Sequence, residues 1–353
     1  FVISGFLLYR PFVLARFRDD GLPRVRSYAA RRFLRIVPCY WVALTVVALV
    51  LKEDDVFTAS GIPTYYGFLQ AYSDSTFAGG IGQAWTLCVE VAFYAFLPVW
   101  ALVMLRAGRR SPRKLGVEAI GLAALFVAST AYIVVVLYRV APTPASPYVR
   151  SLPGLLDTFA LGMALAVAST WAQTREGPPP RWVALLRRMP SAPWLVAAVA
   201  FCVASSLKGG VLGTSSSTTA YLAQHELYSL TAVAVVLPAV VFGAERGWGL
   251  AGRVLGSRAL LYAGLWSYGI YLYHVAAVAK LAGPVYDTLP HGAGWQTLGL
   301  GVSVLVVSVA VAALSYYVVE RPALSLKRRF PLFAGAAARD EAIAEPAPAT
   351  PPG

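Results

Sequence analysis

Trp295–Val319, WQTLGLGVSVLVVSVAVAALSYYVV, runs for 25 residues without one charged side chain. About 20 apolar residues in a helix cross the hydrocarbon of a bilayer. Backbone N–H and C=O groups in hydrocarbon must find partners within their own segment, so a run of this kind reads as a helix. Comparable runs occur at Ile36–Leu51, Ala84–Leu105, Leu115–Leu137, Leu152–Trp171, Trp194–Leu207, Glu226–Phe242 and Ala259–Leu281. Trp194–Leu207 is short and would extend or tilt. A partial run, Phe1–Leu14, holds Arg10 and Pro11. The expected fold class is all-α: a polytopic transmembrane helical bundle with about nine spans present.

Composition agrees with lipid as the solvent. Of 353 residues, 58% are apolar and 13% charged, with a mean hydropathy of +0.62, whereas soluble domains carry about 25% charged residues. The formal charge of +13 would suggest nucleic acid in a soluble protein. Here the basic residues fall in short runs between apolar stretches, which is the pattern of membrane topology, so no nucleic-acid partner is expected.

Seven Arg lie in 15–35, five Lys or Arg in 106–114, four in 174–193, three in 244–258 and five in 320–353. The alternate loops, 53–83, 138–151, 209–225 and 282–294, hold only Arg139 and Arg150. The positive-inside rule then puts the basic loops and the C-terminus in the cytoplasm, in an inner (cytoplasmic) membrane, with membrane lipids around the spans. Residues 1–333 read as one transmembrane domain and 334–353, rich in Ala, Pro and Glu, as a disordered cytoplasmic tail. Cys39, Cys88 and Cys202 form no CxxC pair or His-rich cluster, so no metal is expected.

Ionisable residues inside spans are costly and are functional candidates by default. Glu90 sits six residues below the outer end of its span, and His274 six residues below Lys280; each is about 9 Å deep. Asp157 lies five residues into an inward-running span, about 8 Å deep. Each also has a structural reading: a hydrogen bond to a neighbouring helix for His274 and Glu90, a favourable helix start for Asp157. In Arg31–Tyr40, RRFLRIVPCY, Arg32 and Arg35 are three apart and share a helical face at the cytoplasmic boundary. Their guanidinium forks suit phosphate, from a soluble donor or a lipid, and they equally suit plain positive-inside anchoring. GxSxG, Walker and HExxH motifs are absent, and none of His225, His274 or His291 is followed five residues later by Asp.

Five segments in order resemble the acyltransferase-3 family of integral-membrane acyltransferases. Phe1–Phe12 (FVISGFLLYRPF) is similar to its second helix, and Arg31–Tyr40 to its arginine motif. Trp85–Tyr94 (WTLCVEVAFY) is similar to its WSLxxExxFY, with Thr86 in place of Ser. Trp266–His274 (WSYGIYLYH) is similar to SYGIYLxH, and Ser315–Pro322 (SYYVVERP) to SYxxxExP. The resemblance implies ten spans and an enzyme that moves an acyl group, often acetyl, from acyl-CoA to a hydroxyl. Acceptors would be a carbohydrate, a cell-envelope glycan or a secondary metabolite. No cofactor is expected to stay bound; acyl-CoA is a co-substrate. Carried over, Arg32 and Arg35 would hold CoA phosphates, and Glu90 and His274 would be catalytic. Tyr40, Trp85 and Tyr94 would line the substrate cavity, with Asp157 at a similar depth. The family's expected catalytic His lies on its first helix, and this chain starts at what resembles the second, so N-terminal truncation is expected. A lipid or glycolipid transporter and an inactive fragment are the competing readings.

Overall fold

A computed structural model describes residues 1–326 apart from 109–112, 142, 144–145, 208–216, 243–251, 253 and 289–292. The tail expected over 334–353 and His291 lie outside the described residues. The described residues are 84% helical, with no strand among them. The helices are α1 Val2–Phe17, α2 Val25–Leu51, α3 Gly61–Tyr66, α4 Trp85–Gly108, α5 Lys114–Val135, α6 Leu156–Thr174, α7 Arg181–Arg188, α8 Ala192–Ser206, α9 Thr218–Phe242, α10 Arg258–Thr288, α11 Ala293–Ser315 and α12 Arg321–Ser325. Five segments are long and apolar enough to cross a membrane: Val25–Leu51, Gly82–Gly108, Lys114–Val140, Thr218–Phe242 and Gly294–Ser325. A sixth is the pair α7 and α8, if the 85° bend between them lies within one span. Helices also cover the apolar runs at the N-terminus (α1), at Leu152–Trp171 (α6) and at Ala259–Leu281 (α10).

Several helices start earlier or later than their apolar runs. The α2 helix begins at Val25, eleven residues before the run at Ile36, so the arginines of RRFLRIVPCY are helical. The α9 helix begins at Thr218, not Glu226, because the polar residues ahead of the run continue the same helical stripe. Asp157, expected five residues inside its span, is instead the second residue of α6. Before it, Leu152–Gly154 forms a short 3₁₀ turn, with Pro153 at the start and Gly154 lodged against the Val149 carbonyl. Pro cannot donate the bond that would continue an α-helix back through this point.

The chain divides into two compact units. The first comprises 1–22, 67–79 and 84–260, and therefore α1 and α4–α9. Its centre is the crossing of α1 and α6. A Cβ on Gly5 would strike the Phe159 carbonyl, and one on Gly162 the Val2 carbonyl. Paired glycines let two backbones approach this closely, which is how helices pack where lipid removes the hydrophobic drive. Phe159 stacks on Phe93 of α4 with ring centroids 3.9 Å apart. On α5, the buried Glu118 pairs with Arg16 and accepts a 2.7 Å hydrogen bond from Tyr9.

The second unit comprises 23–66, 80–83 and the described residues from Leu261 on, with α2, α3, most of α10, α11 and α12. Gly269 of α10 meets Ala312 of α11 at contact distance. Tyr316–Glu320 leaves the α-helical ladder for a π-turn, a distortion frequent at functional positions.

Candidate active site

Within the first unit, α4 opens on Trp85 and carries Glu90 in an otherwise apolar helix. Glu90 is not left unsatisfied: Ser4 Oγ of α1 donates to Oε1 at 2.5 Å, and Tyr94 OH donates to Oε2 at 3.1 Å. Tyr94 is one turn along from Glu90, the spacing at which two side chains of a helix meet. Both ends of the WTLCVEVAFY segment are thus anchored. At its start Trp85 stacks with Phe77, and the Arg150 guanidinium lies 4.8 Å from the Phe77 ring centroid and 5.6 Å from that of Trp85. Burial pulls the Arg150 guanidinium below its ordinary pKa. Trp85 therefore serves a cation–π stack.

Asp157 is fully buried at the start of α6, and its two oxygens have different duties. Oδ1 accepts from the Thr158 N–H at 2.6 Å and the Thr158 hydroxyl at 3.3 Å. Oδ2 lies 2.7 Å from Nε2 of His225 on α9. A carboxylate can only accept, so His225 Nε2 carries the hydrogen and Nδ1 is the basic nitrogen. Nδ1 has no hydrogen-bond partner among the described residues. The His225 ring lines a cavity of about 260 Å³ together with Thr158, Tyr221, Gln224, Tyr228 and Ser229. Tyr221 stacks near His225 at 6.1 Å, and Ser229 and Thr158 share a 2.9 Å hydrogen bond. Asp157, His225 and Glu226 also place one potential metal-ligand atom each within 4.8 Å of one another. Asp157 Oδ2 and His225 Nε2 are hydrogen-bonded to each other directly at 2.7 Å.

In the second unit, Arg35 of α2 pairs with Glu320 of the π-turn at 3.0 Å, the Arg35 side chain 41% exposed and that of Glu320 2%. Arg32 is half-buried on the same helix. Cys39 and Tyr273 both reach Ser315, each at 3.4 Å, and Tyr268 donates to the Ile36 carbonyl at 3.0 Å. Tyr40 is completely buried and donates to the Tyr65 carbonyl at 2.9 Å. His274 Nδ1 faces carbonyls of its own helix, Tyr271 at 2.9 Å and Ile270 at 3.2 Å. Nδ1 thus carries the hydrogen and Nε2 is its basic nitrogen.

The eight residues singled out in the sequence fall into separate groups. Glu90 and Tyr94 bond directly; Trp85 joins Arg150; Asp157 joins His225. Arg35 joins Glu320, with Arg32 one turn before it on α2, while Tyr40 and His274 are bound by backbone carbonyls. Sequence reasoning missed His225 and Ser4. A signal for His225 existed: Tyr221, His225, Tyr228 and Ser229 recur at helical spacing, a polar stripe ahead of and into the apolar run.

Comparison with known proteins gives a consistent picture. A family model for the acyltransferase domain matches residues 1–317. A Bacillus subtilis protein provisionally named a peptidoglycan O-acetyltransferase, YrhL, is 25% identical over 338 residues, covering 91% of this chain and 49% of that protein. Staphylococcus aureus proteins provisionally named O-acetyltransferases, from strains COL and MSSA476 among others, are 29% identical over 118 residues, covering 30% of this chain and 19% of theirs. The chain thus spans about half the length of the Bacillus relative and less of the Staphylococcus ones. No solved structure matches.

Proposed function

The chain belongs to the acyltransferase-3 family, and from that premise we propose that it is a multi-pass membrane O-acyltransferase moving an acyl group, acetyl in the simplest case, from acyl-CoA to a hydroxyl. The observation that carries this reading is the family match, which runs from the first residue to 317. The acceptor hydroxyl oxygen attacks the thioester carbonyl, the C–O bond forms, the C–S bond breaks, and the hydroxyl proton leaves with CoA as its thiol. A carbohydrate or cell-envelope glycan is the acceptor class we favour, in line with the name of the Bacillus relative. We place the reaction in the cytoplasmic membrane, with the arginine-rich loops and the C-terminus on the cytoplasmic side.

The named residues take roles that their surroundings allow. Arg32 and Arg35 lie on the α2 helix where guanidinium forks would meet CoA phosphates, and Arg35 pairs with Glu320 at 3.0 Å. Glu90 has both side-chain oxygens engaged, by Ser4 and Tyr94, so its orientation is set before substrate arrives.

The test is transfer of labelled acetyl from acetyl-CoA by the intact protein in proteoliposomes, with soluble peptidoglycan fragments as acceptor. The reading predicts an ester product that alkali removes and an equal yield of CoA thiol. Glu90→Gln keeps the side chain's shape and removes its charge, and we expect its turnover to fall by about 10²-fold or more. Near-normal turnover in that variant would remove Glu90 from the mechanism. Passage of unmodified substrate across the membrane without a covalent product would point to a transporter instead.

A further inference from the structure

The α7 helix, Arg181–Arg188 (RWVALLRR), lies between Pro180 and a turn of 85° into α8. Arg181, Arg187 and Arg188 are all exposed. At 3.6 residues per turn these three fall within an arc of about 120°, and Trp182, Val183 and Leu186 fall opposite them. Val183 is buried. Leu185 and, one residue past the helix, Met189 sit at the border between the two sides and are 58% and 54% exposed. The helix thus has a basic side, a side turned to the protein, and an apolar seam that the protein leaves uncovered. The surrounding segment 174–193 holds four arginines against one acid, Glu176.

Two features fix where such a helix can lie. The first is the length of α8, which has 15 residues and stops where Leu207 turns to extended backbone. At 1.5 Å per residue it covers about 22 Å, short of a hydrocarbon layer about 30 Å thick. A short span draws its flanking residues down to the interface, where long basic side chains reach back to the headgroups. The second is the bend. With α8 across the membrane, a helix turned by 85° from it runs along the surface. The α7 helix cannot supply the missing length of the span, because three guanidiniums in hydrocarbon are too costly. At the surface the same arginines meet phosphate, and Leu185 and Met189 enter the acyl boundary, which is the arrangement of an interfacial amphipathic helix.

Resting on the cytoplasmic placement of the arginine-rich loops proposed above, we propose that α7 is a docking site for anionic phospholipid of the cytoplasmic leaflet. Arg181, Arg187 and Arg188 donate to headgroup phosphates, which guanidinium forks match in shape and charge, and Leu185 and Met189 insert beside the acyl chains. A zwitterionic lipid offers the same phosphate but offsets its charge with its own ammonium, so the site prefers a headgroup of net negative charge. Lipid held at α7 also anchors the base of α8. That helix packs on α9, where Gln224 donates to the Ala204 carbonyl at 3.1 Å and Phe201 meets Tyr228. Binding at the surface therefore stabilises the α8–α9 pair by mass action.

The experiment titrates the intact protein in detergent micelles with phosphatidylglycerol or phosphatidylcholine and reads the apparent Kd from the gain in Tm. Wild type should gain Tm with phosphatidylglycerol, little with phosphatidylcholine, and less of either at high salt. Each arginine near a charged surface contributes about fivefold in affinity, so Arg181→Gln, Arg187→Gln and Arg188→Gln together should weaken phosphatidylglycerol binding on the order of 10²-fold. Lysine at the same three positions keeps the charge and should stay within about fivefold of wild type, which separates lost binding from a misfolded variant. Glutamine at Arg18, Arg24 and Arg26, exposed arginines of another basic loop, should stay within about threefold. An α7 glutamine variant that binds like wild type would overturn the proposal. So would an equal loss in the Arg18, Arg24 and Arg26 variant, since net charge alone would then account for binding. A gain in Tm through the α7 arginines from inorganic phosphate or CoA, matching that from phosphatidylglycerol, would assign the site to a soluble anion and overturn it too. Acetyl transfer measured on the same samples keeps the readings apart: wild type that forms no ester while its lipid affinity follows α7 would break the acyltransferase reading and leave this one standing.

Discussion

Glu118 and Asp157 are carboxylates of the same unit, both buried completely, yet their partners differ in one property. Glu118 accepts from Tyr9 on one oxygen and pairs with Arg16 on the other. Arg16 is itself 5% exposed, and a guanidinium does not release its proton. Asp157 pairs with an imidazole, which unlike a guanidinium has a ring nitrogen that can accept a proton. The ring of His225, the partner of Asp157, lines a cavity of about 260 Å³. One cluster ties α1 to α5; the other ties α6 to α9 and leaves a basic nitrogen facing space. Burial of a charge is therefore a poor guide to function on its own. What its partner can do with a proton is the better one.

The contrast breaks most sharply at the partners. Replacing His225 with Ala should leave the buried Asp157 without its partner and lower the Tm in detergent. Replacing Glu118 with Ala should cost more. Arg16 would be left as an uncompensated buried charge, at a cost of about 3–5 kcal/mol, read as a lower Tm in detergent, with kcat per folded molecule unchanged. Exchanging both partners together, Arg16→Met with Glu118→Leu, should recover most of that loss, because a well-packed apolar pair often equals a buried ion pair. If the double variant is as unstable as the single, or loses turnover while folded, the cluster does more than hold helices.

A smaller effect is expected at the α1–α6 crossing. Gly162→Val forces a side chain into the Val2 carbonyl and should cost about 1–3 kcal/mol in thermal unfolding. Unchanged stability would show that the two helices can part without penalty. The smallest belongs to Arg150. Its stack on Phe77 and Trp85 should contribute about 0.5–2 kcal/mol, so Arg150→Ala should lower Tm slightly.

Much of this was legible in the sequence, and what was not has physical reasons. Apolar runs located the helices, since hydrocarbon leaves the backbone no other way to pair its polar groups. They did not locate the helix ends. Hydropathy rises where a helix meets lipid, and α2 and α9 both continue as polar, amphipathic turns beyond that point. This is why His225, one residue before the apolar run at Glu226, looked like part of a loop. Pro153 and Gly154 shifted Asp157 to the first turn of α6, a local break that hydropathy does not register. Glu90 was visible because a carboxylate in an apolar run has few innocent explanations. Its partner Ser4 was not, because a serine 86 positions away carries no signal until α1 and α4 are packed.

The most direct measurement supplies labelled acetyl-CoA and soluble peptidoglycan fragments to the purified intact protein in proteoliposomes and follows the label. The account predicts label in an alkali-sensitive ester on the glycan, one CoA thiol for each ester, and loss of both when Glu90 is changed to Gln. Label that stays on CoA while unmodified glycan fragments cross the membrane would contradict it.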